Sequence, residues 1–367
     1  MKELAVLIFF CISSSFTEDT LQLVHLVFRH GQRTPADTYP KDPYIKEKFS
    51  PYGWGALTNE GKNQQFEIGK DLRLRYDRFL GKAYTSDILE AWTTDSDRTK
   101  MSAALVLAGL FPPVEEQIWN KDLLWQPIPT SYQKLAEDKL LLVRGCPRYS
   151  EAVAEIIANQ VAETIAKQKD LYDYLTEHTG KNVSDPDAVM DIFSTLKAEE
   201  EFGLKLPSWT NEIYPDEMAK VTAFSFIVNT YTDELKRLKG GPLLKKILND
   251  SKKKMNDNSF QKKLYLYAGH DSTVANVLQA LKVWDSQIPG YNILTLIELH
   301  KIEDDYKIKV FLKNSTHEPY LLTIPGCEEM CPMNKVLSLT TAVIPDNLNE
   351  ECIAKKMDYK PPQDGGP

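Results

Sequence analysis

Residues 21–35 read Leu-Gln-Leu-Val-His-Leu-Val-Phe-Arg-His-Gly-Gln-Arg-Thr-Pro. Apolar side chains run from Leu21 to Phe28, interrupted only by Gln22 and His25, and the run stops where Arg29 and Arg33 bracket His30 and Gly31. This is a strand that ends in two guanidinium groups and an imidazole. Open α/β sheets place ligands at the carboxyl ends of their strands, and paired N–H donors of arginine match the oxygens of a phosphoryl group. The stretch therefore predicts an anion site, for phosphate, at the end of the first strand.

Two further strand-to-helix junctions have the same form. Residues 88–94 read as a strand that ends in Thr94-Asp95-Ser96-Asp97-Arg98, before a helical run over 99–110 that Phe111-Pro112-Pro113 stops. Residues 263–268 read as a strand that ends in Gly269-His270-Asp271, before a helical run over 272–281. In a parallel sheet the three junctions share one edge, so Arg29, His30, Arg33, Arg98, His270 and Asp271 converge on one pocket.

Between these junctions lie a long loop over 34–55, with four prolines and five aromatics, and a helix over 59–76 with Thr58 as its N-cap. Residues 124–129 read as a short extended piece. From 147 to 254 the pattern is helical throughout: 151–175, 186–196, 216–238 and 243–254, with Gly240-Gly241-Pro242 as a breaker. Residues 292–299 and 306–312 alternate as a hairpin, and 320–324 as a further strand. The expected fold class is α/β: a mostly parallel central sheet flanked by helices, assembled from 16–146 and 255–354, with an α-helical cap inserted at 147–254 and a polar tail at 355–367.

The chain has 367 residues and a net charge of −8. A nucleic-acid partner is not expected of so acidic a chain, and the arginine cluster must supply its own attraction for anions. Residues 1–15 read as a secretory signal: Lys2, an apolar core over 4–12, and Ser13 and Ser15 before a cleavage point. No later run approaches the ~20 apolar residues of a membrane span, so the expected product is secreted, extracellular and without a membrane anchor.

Cys11 leaves with the leader, and Cys146, Cys327, Cys331 and Cys352 remain. Three pairings are open. The proximity of Cys327 to Cys331 favours a local bridge, which leaves Cys146 for Cys352; the secretory context favours bridges over a zinc site. Sequons begin at Asn182, Asn249 and Asn314. His25, His178, His300 and His317 read as structural. Asp95 and Asp97, with no neighbouring histidine, read as loop residues rather than metal ligands.

RHGxRTP after a first strand, with a distant His-Asp after a later one, resembles the histidine acid phosphatases, branch 2 of the histidine phosphatase superfamily. The likeness extends through LTNEGKNQQFEIGKDLRLRY, TTDSDRTKMSAALVLAGLFPP, YAGHDST and the late cysteines. Within the family it is greatest to the prostatic, lysosomal and secreted insect (venom-type) acid phosphatases. The resemblance implies hydrolysis of phosphate monoesters through a phosphohistidine at His30, with Arg29, Arg33, Arg98 and His270 on the phosphate and Asp271 as proton donor. It also implies a helical cap, an acid pH optimum, a homodimer, and no metal or cofactor. The substrate would be a small-molecule phosphate monoester, with phosphoproteins and lysophospholipids as further candidates. A phytase, which shares both motifs, and a secreted binding protein with a vestigial site are the rival expectations.

Overall fold

The computed structural model describes residues 20–314 and 318–361. The leader and residues 362–367 of the tail lie outside them, as do His317 and the last two residues of the Asn314 sequon. The strands are β1 (Leu21–Arg29), β2 (Leu89–Thr93), β3 (Ser131–Tyr132), β4 (Leu264–Gly269), β5 (Leu294–Ile302), β6 (Asp305–Lys313), β7 (Tyr320–Leu322) and β8 (Cys331–Pro332). The helices are α1 (Asn59–Leu80), α2 (Asp97–Leu110), α3 (Pro147–Asn159), α4 (Ala162–Ala166), α5 (Lys169–Thr179), α6 (Pro186–Glu201), α7 (Asp216–Val228), α8 (Asp233–Lys239), α9 (Gly241–Asn256), α10 (Asp271–Ala280), α11 (Met333–Thr340) and α12 (Leu348–Glu351).

The strands form one sheet in the order β3-β2-β4-β1-β5-β6-β7, with β8 also on β6. β3, β2, β4 and β1 run parallel, whereas β5, β6 and β7 continue the sheet antiparallel. Register sets the site: Arg29 lies opposite Gly269, and Thr93 opposite Ala268, so β1, β4 and β2 end level.

Alternation along β1 feeds two cores. Val24, Leu26 and Phe28 pack with α1 and α2 through Ile68, Leu72, Val106 and Leu107. Leu23 and Val27 pack on the other face with Tyr265, Tyr267 and helices α9 and α10. The helical spacing of residues 59–76 is the buried stripe of α1, whose N-cap Thr58 accepts from the Gly61 N–H at 3.1 Å. His25 is buried on the α9 face, stacked on Tyr265 at 5.0 Å, so it belongs to the core.

The sequence reading runs several helices together that are separate. Residues 151–175 span parts of α3, α4 and α5, and 216–238 span α7 and most of α8. The extended piece expected at 124–129 is not a strand; the edge strand is the two-residue β3 that follows it. Helix α9, expected in the cap, lies on the sheet: Leu243, Leu244, Ile247 and Leu248 share a core with Leu23 and Tyr265. A separate core joins α5, α6 and α7 through Leu175, Ile192, Leu196 and Val221. Tyr39, from the loop that follows β1, is part of it, so that loop packs against these helices.

Disulfides join Cys146 to Cys352, across a sequence separation of 206, and Cys327 to Cys331. No described helix is long and apolar enough to cross a membrane.

Candidate active site

The chain leaves β1 in an extended path held by its neighbours. The His30 N–H donates to the Gly269 carbonyl at 3.1 Å, the Gly31 N–H to Ser102 Oγ at 3.2 Å, and Gln65 Nε2 to the Arg29 carbonyl at 3.2 Å. Glycine is required because the loop touches the first turn of α1 backbone to backbone. A Cβ on Gly31 would stand 2.5 Å from the Gly61 carbonyl oxygen, and a Cβ on Gly61 would stand 2.2 Å from that of Gln32.

His30 is 2% exposed. Its Nδ1 lies 2.8 Å from the Gly31 carbonyl oxygen. A carbonyl only accepts, so Nδ1 carries the proton and Nε2 keeps its lone pair. Burial holds the imidazole well below its usual pKa, and the Arg98 and Arg29 charges add to this, with His270 and Arg33 behind them. The ring is therefore neutral and of one tautomer.

Arg29 is fixed by three contacts. Nη1 donates to the Pro289 carbonyl at 2.6 Å, Nη2 meets Asp271 Oδ2 at 3.0 Å, and the guanidinium carbon sits 4.4 Å over the Tyr291 ring. Arg33 donates Nη1 to the Thr34 carbonyl at 2.9 Å. Arg98, in the first turn of α2, is buried. Burial, with Arg33 and Arg29 beside it and against the pull of Asp271, lowers it to about 10, so Arg98 keeps its charge at physiological pH. His270 ends the turn after β4, with its ring centroid 5.4 Å from that of His30 and Nε2 in a 2.9 Å hydrogen bond with Thr94 Oγ1. Burial, then Arg98, lowers His270 to about 3.

Asp271 opens α10, and its side chain keeps 30% of its exposure. Burial alone would raise its carboxyl; the Arg29 charge, with His270 and the Ser272 N–H, takes it below the ordinary carboxylate range instead. All six residues line one cleft of about 620 Å³.

The sequence reading passed over the residues across this cleft. Asp187, Met190, Asp191 and Ser194 of α6 line it, as do Asp37, Lys239 and Asn276. Their signal was spacing: 187, 190, 191 and 194 form one helical face. Thr94, the residue after β2, holds His270. Asp95 is paired with Lys100 at 2.5 Å. Asn182 and Asn249 are exposed, whereas Asn314 is half-buried and donates Nδ2 to Gln287 Oε1 at 2.9 Å.

Residues 20–304 match the family model of the histidine phosphatase superfamily (branch 2). The chain is 39% identical to the venom acid phosphatase of Apis mellifera, over 92% of this chain and 88% of that one. It is 38% identical to the prostatic acid phosphatase of Homo sapiens, over 95% and 92%. Among solved structures, the phytase from Citrobacter braakii superposes with a TM-score of 0.65 at 19% identity, over 92% of this chain and all of that one, which is a likeness of fold alone. The chain belongs to branch 2 of the histidine phosphatase superfamily and is a phosphomonoesterase.

Proposed function

We propose that this protein is an exported acid phosphatase that hydrolyses phosphate monoesters through a phosphohistidine at His30. The observation that carries the reading is the neutral imidazole of His30, its Nδ1–H tied to the Gly31 carbonyl, in a cleft that also presents Arg29, Arg33, Arg98 and His270.

The three guanidinium groups bind the phosphoryl oxygens and offset the charge that builds on them during transfer. Nε2 of His30 attacks phosphorus, and the bond from phosphorus to the ester oxygen breaks. Asp271 gives its proton to the departing alkoxide. In the free protein Asp271 is ionised against Arg29. An arriving phosphoryl group draws on the same guanidinium and adds negative charge beside the carboxylate, and both effects raise its affinity for a proton. Acid pH supplies that proton. In the second half, water attacks phosphorus with Asp271, now ionised, as base. The nitrogen–phosphorus bond breaks, phosphate leaves, and His30 returns neutral. Export is supported by the apolar leader over 1–15 and by the two disulfides.

Rapid alkaline quench during turnover of 4-nitrophenyl phosphate tests the mechanism. The expected result is a base-stable, acid-labile phosphoenzyme in the wild type and none in a folded His30→Ala variant. Full turnover by His30→Ala overturns it.

A further inference from the structure

The cleft is positive at its floor and negative along one wall. The floor holds the phosphoryl site, where the Nε2 of His30, a side chain almost wholly buried, has no hydrogen-bond partner of its own. The wall is the face of α6 that carries Asp187 and Asp191, with Asp37 of the post-β1 loop beside it. Of the three, Asp187 is the preorganised one. Its Oδ1 accepts from the Ser225 hydroxyl and from Asn229 Nδ2 at 3.1 Å, both at the far end of α7, and Oδ2 has no hydrogen-bond partner among the described residues. Asn229 is braced in turn by the Tyr149 hydroxyl at 3.1 Å. A carboxylate held on one oxygen and open on the other is an acceptor fixed before any ligand arrives.

Two cations outside the phosphoryl floor, Arg144 and Lys239, line the same cleft. Asp191 is paired with Lys181 at 2.8 Å and contributes less. Lys239 is engaged elsewhere: its Nζ donates to the Leu142 carbonyl at 2.9 Å and lies 4.4 Å from the centroid of the Tyr149 ring. A phosphate monoester held at His30 by the arginines would extend its alcohol part into the rest of this cleft, which Asp187, Asp191 and Asp37 line. A second phosphate on that alcohol would meet carboxylates, and like charges brought together cost several-fold or more in affinity.

We propose that Asp187, seconded by Asp191 and Asp37, reads the alcohol part of the substrate, selecting small phosphate monoesters of amino alcohols and disfavouring polyphosphorylated alcohols. The inference rests on the phosphatase reading above and specifies its substrate class.

The test is a ratio of kcat/KM values at pH 7, above the value of about 6 to which burial raises Asp187. Phosphoethanolamine is compared with glycerol 2-phosphate, which lacks the ammonium group, and with inositol hexakisphosphate. In the wild type phosphoethanolamine is preferred. In Asp187→Asn, an isosteric change checked by its melting temperature, the phosphoethanolamine to glycerol phosphate ratio falls about tenfold, and the hexakisphosphate to glycerol phosphate ratio rises. Asp191→Asn moves both ratios the same way by less, and serves if Asp187→Asn does not fold. Ratios that stay flat in the folded variants, or a wild type that prefers the hexakisphosphate, overturn the inference while leaving the phosphatase standing. A wild type that hydrolyses none of the three, nor 4-nitrophenyl phosphate at acid pH, overturns both.

Discussion

Gly61→Ala separates local propensity from the packing of the catalytic loop. Gly61 is the third residue of α1, and in a helix alanine is favoured over glycine by about 1 kcal/mol. Taken alone, the change should stabilise. The added Cβ, however, would stand 2.2 Å from the Gln32 carbonyl oxygen and 2.6 Å from its nitrogen. To reach ordinary contact at 3.4 Å the Gln32 backbone must retreat about 1.2 Å. Both neighbours of the clash are backbone, so no side chain can swing away. Gln32 lies two residues past His30 and one before Arg33, so both groups move with it. A displacement near 1 Å at a catalytic group costs about a hundredfold in rate, or about 2.7 kcal/mol. Overpacking adds a stability cost of about 1–3 kcal/mol, which exceeds the propensity gain. Steady-state hydrolysis of 4-nitrophenyl phosphate should therefore show kcat/KM lower by about a hundredfold, with a reduced melting temperature. A variant within threefold of wild type, with an equal or higher melting temperature, would refute the claim that the RHG loop is positioned by its contact with α1.

Asp271→Asn should slow alkyl phosphates, whose alkoxides are poor leaving groups, by about 10²–10⁴-fold and 4-nitrophenyl phosphate far less; equal slowing of both would count against Asp271 as the acid. Arg33→Lys should raise KM for every monoester in common, since lysine keeps the charge but not the fork of donors; selective loss with one ester would place Arg33 on the alcohol instead. Glu199 of α6 is fully buried beside Asp42, and burial and that neighbour raise it to about 8. A carboxyl whose folded pKa exceeds its unfolded value stabilises below the unfolded value near 4.5 and loses that contribution as pH rises toward 8. Glu199→Gln should accordingly melt near wild type at pH 4.5 and above it at pH 8, and parallel melting curves across that range would remove Glu199 from the account.

The parallel half of the fold was legible because its signals are short-range. Each of β1, β2 and β4 is an apolar run that ends at a charged turn and opens a helix, and a parallel sheet makes three such ends coincide. Arg29, His30, Arg33, Arg98, His270 and Asp271 could thus be brought together from residues up to 242 apart. The cap was legible only as helical. Nothing local distinguishes α9, which covers the sheet, from α8 before it, because both are amphipathic and only the partner differs. Asp187 and Asp191 carry no sign in the sequence that they face a cleft, since a polar helical stripe looks the same toward water and toward a cleft. Glu199 gave no warning either: Tyr39 and Asp42, which interact with it, lie some 160 residues away in the chain. β3 escaped because two residues carry no periodicity.

The Cys146–Cys352 bridge has a consequence for the making of the protein. Cys146 is the residue before α3, where the chain departs for the cap, and its partner lies 206 residues later. At a synthesis rate of about 5–20 residues per second, Cys352 follows Cys146 from the ribosome by about 10–40 s. For most of that interval, until Cys327 emerges, Cys146 has no other cysteine of the mature chain beside it, while helices α3–α9 and then β4 emerge. The next cysteines to appear, Cys327 and Cys331, do so almost together and close on each other. Once closed, that local pair leaves Cys352 as the single remaining cysteine for Cys146 in the mature chain, so the order of the cysteines narrows the wrong pairings open to it.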